Sequence, residues 1–126
     1  MNQESRKITE FTDLISWKKS HELVIFVYRI TEKFPQKEVF GITSQMRRAA
    51  VSITSNIAEG FGRQSYKEKI QFYYISHGSL TELKNQFFIA KDVGFINEKD
   101  FIELMNKANE SHKLLQGLIT KSKTFV

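Results

Sequence analysis

The stretch RRAAVSITSNIAEGFGR, residues 47–63, alternates two kinds of side chain. With Met46 in front, Ala49, Ala50, Ile53 and Ile57 fall on one side of an α-helix. Arg48, Ser52, Ser55 and Glu59 step by four, three and four on the other side. Thr43 or Ser44 is a good N-cap for this helix, and Gly60-Phe61-Gly62 is a strong stop. Small Ser and Ala side chains let a second backbone come near. The stretch therefore predicts a helix packed among helices.

The pattern continues outward in both directions. Upstream, Trp17, Val24, Val27, Tyr28, Thr31 and Phe34 form an apolar stripe after a Ser16 cap, and Pro35 ends that helix. Downstream, Ser65 followed by Glu68 reads as a capping box opening a third helix that runs to about Val93 and stops at Gly94. Its main stripe is Phe72, Ser76, Leu80, Leu83, Phe87 and Ala90. Asn97 caps a fourth helix with Phe101, Leu104, Met105, Ala108, Leu115 and Leu118 inside. The expected fold is all-α, an antiparallel up-and-down four-helix bundle over residues 13–122. Residues 1–12 read as a flexible polar segment, and residues 123–126 as a C-terminal tail.

Composition supports this frame. The chain has 126 residues, 6 glycines and 1 proline, which suits one domain of long helices. It has 11 phenylalanines for a core and no cysteine, so disulfides and thiolate metal sites are excluded and a reducing cytoplasm fits. No apolar run approaches a membrane span, and no secretory signal opens the chain. Net charge is +5. The excess lies in two places: Arg47, Arg48, Arg63 and Lys67 against Glu59 alone, and Lys113, Lys121 and Lys123 after Glu110.

Two surfaces go beyond what a core needs. On the third helix, Ile70, Tyr74 and Phe88 fall away from the main stripe, with Ile70 and Phe88 on one azimuth. They read as a subunit interface or as a face covered by the bundle's own loops and tail. On the second helix, the stripe Arg48, Ser52, Ser55 and Glu59 reads as a subunit contact or a solvated face. Its basic residues admit a further reading, an anionic ligand at Arg47, Arg48 and Arg63. With Phe61 and Tyr66 nearby, Arg47, Arg48, Arg63 and Lys67 could also hold RNA or DNA, because aromatic and guanidinium planes stack on unpaired bases. Gly78, inside the third helix, predicts the close approach of a neighbouring helix or ring, with a hinge as the weaker reading.

No chemistry announces itself. His21, His77 and His112 lack metal-ligand spacing, Gly60-x-Gly62 lacks the strand and lysine of a phosphate loop, and no nucleophile constellation is visible. No enzyme activity, metal or cofactor is expected.

Asp13-Leu-x-x-Trp17, Phe34-Pro35, Phe40 to Ile53, Ser55-Asn-Ile-Ala-Glu-Gly-x-Gly-Arg63, Gly78-Ser-Leu-x-Glu-Leu83 and Gly94-Phe-Ile96 together resemble the bacterial 23S rRNA intervening-sequence proteins. The resemblance spans Asp13 to about Leu118. It implies a four-helix bundle assembling as a ring-like homopentamer, with no enzymatic activity. The accessory protein of diversity-generating retroelements is similar, and its association with nucleic acid implies RNA or DNA as a partner. A structural role in the ribosome does not follow. Members commonly carry proline where this chain has Thr54, so its second helix is expected to be straighter.

Overall fold

The computed structural model describes residues 7–126. Four helices follow one another: α1 (Ile15–Thr31), α2 (Ile42–Phe61), α3 (Tyr66–Asp92) and α4 (Glu98–Lys123). Short 3-10 turns at Phe11–Asp13 and Gln36–Glu38 precede α1 and α2, and no strand occurs among the described residues. Each helix packs on the next, and α4 closes back on α1. The pairs Arg48–Glu82 and Gly60–Tyr73 run in opposite senses along α2 and α3. Tyr66–Phe125 and Lys91–Glu98 do the same for α3 and α4. The bundle is therefore antiparallel, as expected.

The helix ends obey local chemistry, with three corrections. Ser16 is not a cap: α1 begins at Ile15, and Ser16 lies inside it, buried and without a hydroxyl partner. The turn before it is built instead by Asp13, whose carboxylate accepts the backbone N–H groups of Thr9 and Glu10 at 3.0 Å each. Those bonds, which favour the charged form, hold the Asp13 carboxyl below its usual range. This turn falls within the stretch read as a flexible polar start, of which residues 1–6 lie outside the described residues. Likewise α2 starts at Ile42 behind Gly41, ahead of both expected caps, and Thr43 is buried with its hydroxyl unpaired.

α1 ends at Thr31, a turn short of the stop expected at Pro35, while the ends marked by Ser65, Gly94 and Asn97 match. Ser65 Oγ accepts from Glu68 N–H at 3.2 Å, and Asn97 Oδ1 from Asp100 N–H at 2.8 Å. At the end of α3, Gly94 takes φ +88, where an L side chain would be strained. Phe95 N–H then reaches Ala90 O and Gly94 N–H reaches Lys91 O, a Schellman closure. α2 runs without interruption through Thr54.

The core is filled from all four helices by Leu23, Val27, Met46, Ile53, Ile57, Leu80, Leu83, Phe87, Leu104, Leu115 and Ile119. Two serine hydroxyls, Ser20 and Ser111, bond across it at 2.5 Å. The third-helix stripe needs one correction. Phe72 is half-buried, and its neighbour Tyr73 is the core residue, 2 % exposed. The reason is Gly60: a Cβ there would lie 2.8 Å from the Tyr73 ring, so only glycine leaves room for it. Burial pushes the Tyr73 hydroxyl up to about 12, so it stays neutral at any ordinary pH. In α1, Leu23 and Ile30 are core, whereas Trp17 is half-buried and Tyr28 is exposed. Trp17 stacks on His21 with ring centroids 4.7 Å apart.

Candidate interaction surfaces

The polar stripe of α2 lies along its seam with α3. Arg48 Nη2 donates to Glu82 Oε2 at 2.7 Å, and the Ser52 and Ser79 hydroxyls bond at 2.8 Å. Ser55 and Glu59 stay exposed, and Glu59 pairs with Arg63 one turn on at 3.2 Å. Arg48 and Glu82 are both well exposed, so their pair contributes about 0–1 kcal/mol.

Arg47 turns the other way. Its Nε donates to Thr31 Oγ1 at 2.9 Å, its Nη2 to Tyr28 O at 3.4 Å, and its guanidinium lies 4.7 Å over the Tyr28 ring. A cation at the carbonyl end of α1 is favourably placed against the helix dipole. Arg63 lies 4.5 Å over Phe72. Arg47, Arg48 and Arg63 therefore do not converge. The first two leave α2 on opposite flanks, and the third stands beyond its end, about 24 Å along the axis at 1.5 Å per residue.

Another basic grouping forms instead. Because α3 and α4 are antiparallel, the start of α3 meets the end of α4, and Tyr66 stacks on Phe125 at 4.9 Å. This contact joins both basic segments of the sequence: Arg63 and Lys67 on one side, Lys121 and Lys123 on the other. Lys67 and Lys121 are exposed, and Lys123 Nζ lies 5.2 Å over Tyr74. Lys69 closes the corner beneath, donating to Phe61 O at 2.5 Å; burial lowers its pKa. The tail that was read as loose thus completes this end of the bundle.

The outer face of α3 carries large apolar side chains among polar ones, with Thr81 and Asn85 exposed beside Gly78. Tyr74, Ile75, Phe88, Ile89 and Val93 are exposed, while Ile70 is half-buried. Phe88 leans toward α4 and meets Phe101 edge-on at 5.0 Å. Ile75 and Ile89 were missed in the sequence reading, although their spacing of fourteen residues, about four turns, places them on one azimuth. Gly78 lies between them. Among the described residues nothing comes within 4 Å of a Cβ built there, so the close neighbour expected at Gly78 is not found.

A last cluster was not foreseen. Lys84 Nζ, His112 and His77 form a line across the α3–α4 seam, with contacts of 2.8 and 2.6 Å. Residues so far apart in sequence leave no spacing signal. Among the described residues, no group of three or more His, Cys, Asp or Glu is placed to hold a metal ion, and no helix is long and apolar enough to cross a membrane.

Comparison with known proteins agrees with this architecture. The family model described as 23S rRNA-intervening sequence protein matches residues 12–117. A crystal structure of a protein with unknown function from the S23 ribosomal protein family of Bacteroides thetaiotaomicron VPI-5482 superposes with a TM-score of 0.78 at 21 % identity. The alignment covers 84 % of this chain and 96 % of that one. At that identity the likeness concerns the fold. No curated protein matches the chain.

Proposed function

The chain belongs to the 23S rRNA-intervening sequence protein family, and on that premise we propose that it is a non-enzymatic, cytoplasmic assembly module that works as a homo-oligomer. The observation that carries this reading is the outer ridge of α3: the exposed Tyr74, Ile75, Phe88 and Ile89 share a face with a mid-helix glycine that nothing among the described residues approaches. Exposed apolar patches of this kind mark interfaces. Phe40, between α1 and α2, is a further apolar side chain, 94 % exposed. The stoichiometry of five follows from the family resemblance.

Light scattering of the purified chain should give a mass near five times its 14.7 kDa. A mass of 14.7 kDa at micromolar concentration would defeat the assembly reading, and another multiple would defeat only the pentamer.

A second reading has its own observation, the joined basic segments at the Tyr66–Phe125 end. Cations beside stackable rings suit single-stranded nucleic acid. If Arg63, Lys67, Lys121 and Lys123 neutralise four phosphates, affinity for a labelled single-stranded RNA should fall about fiftyfold between 50 and 200 mM salt. The double variant Lys67→Glu, Lys123→Glu should lose that binding with its fold intact. No measurable RNA binding even at 50 mM salt would leave a protein-interaction scaffold without intrinsic nucleic-acid affinity, and binding unmoved by salt and by the variant would place the RNA contact elsewhere.

A further inference from the structure

The line Lys84–His112–His77 allows one arrangement of protons. Lys84 as an ammonium has only donors, so His112 Nδ1 must accept at 2.8 Å. The proton of neutral His112 is then on Nε2, which donates across 2.6 Å to His77 Nε2. His77 must therefore carry its proton on Nδ1. The two ring planes stand at 87° to each other.

We propose that these three side chains form a proton-sensitive latch between α3 and α4, closed while both imidazoles are neutral and opened when either gains a proton. A proton on His77 Nε2 would face the His112 N–H. A proton on His112 Nδ1 would face the Lys84 ammonium. Either event turns an attractive contact into a repulsive one.

The surroundings offer no rescue. One turn from His112 on α4 stand Ala108 and Gln116. On α3, Tyr73 and Thr81 flank His77, and Leu80 and Phe88 flank Lys84. The acids nearest in sequence, Glu110 and Glu82, are drawn to other partners, Lys19 of α1 at 3.6 Å and Arg48 of α2 at 2.7 Å. Burial, then Lys84, then His77 hold His112 below the usual histidine range. Burial also lowers Lys84. The line is poorly suited to a metal, since the Lys84 cation occupies the ring nitrogen that a ligating histidine would turn toward an acceptor.

The sign follows from linkage. His112 in the unfolded chain takes up a proton near pH 6.5. The folded chain resists, so stability is lost as pH falls below that value, by up to tenfold in the unfolding equilibrium per pH unit, until the lowered folded pKa is reached.

The latch does not depend on the assembly reading and is tested without it. Imidazole nitrogen NMR of the full chain at pH 7.5 should find His112 protonated on Nε2 and His77 on Nδ1. Between pH 7.5 and 5.5 the wild type should lose up to tenfold more folding equilibrium than His112→Gln, and more than Lys84→Gln, which keeps the burial of His112. Replacing His21, which stacks on Trp17 elsewhere, should leave the wild-type loss in place. Opposite tautomers, or a full wild-type loss in both glutamine variants, would overturn the latch.

Discussion

Gly60→Val should destabilise the fold by about 3 kcal/mol, and Gly60→Ala by about 1–2 kcal/mol, the range of core overpacking. The cause is the distance between α2 and α3. A Cβ on residue 60 would lie 2.8 Å from Tyr73 Cε1 and 2.9 Å from Phe72 Cβ. The second contact is close to the α3 backbone and cannot rotate away. Tyr73 is buried at the head of the core and has nowhere to retreat. Alanine regains up to about 1 kcal/mol of helix propensity, so its net cost is smaller. Gly117→Ala supplies the contrast. That glycine is also inside a helix, but nothing lies within 4 Å of its Cβ, so the propensity gain of up to about 1 kcal/mol arrives without a clash. Urea denaturation at one fixed protein concentration measures all three. If Gly60→Ala stabilised as much as Gly117→Ala, the close approach at Tyr73 would be wrong.

The choice between Phe72 and Tyr73 shows where sequence reasoning stops. Apolar periodicity locates a helix and its capping residues well, and Ser65, Gly94 and Asn97 did mark true ends. Adjacent aromatics differ by only 100° in azimuth, and both fit a broad apolar face. A glycine on another helix, thirteen positions earlier, decides which one goes in. The arginines failed to be legible for a related reason. Their charge and spacing are visible, but their partners are not. Arg48 meets Glu82, thirty-four positions away, and Arg47 meets the carbonyl end of α1. The basic end at Tyr66 and Phe125 was within reach, because an antiparallel bundle must bring the start of α3 to the end of α4. The two basic segments were seen separately, and the topology that joins them was not applied.

If the chain assembles through the α3 ridge, Gly78→Arg should yield monomers while leaving each one folded and slightly more stable. The two effects separate because they rest on different surroundings. Within one chain, residue 78 faces open space, and arginine is a better helix former than glycine by up to about 1 kcal/mol. In an assembly built on the α3 ridge, the same position lies between Ile75 and Ile89. A guanidinium there must either lose its water without a partner or push the neighbouring subunit off the ridge. A buried, unpaired charge costs about 3–5 kcal/mol, and a ring places one at every contact. Gly117→Arg is the matched control, since that glycine lies among exposed Lys113, Gln116, Thr120 and Lys121. Light scattering gives the mass and circular dichroism the helix content. Monomers from Gly78→Arg with full helicity, beside an intact Gly117→Arg oligomer, would place the contact on the ridge. A Gly78→Arg oligomer of unchanged mass would move it elsewhere. An unfolded Gly78→Arg chain would mean that α3 needs glycine for its own packing, which the open space around Gly78 argues against.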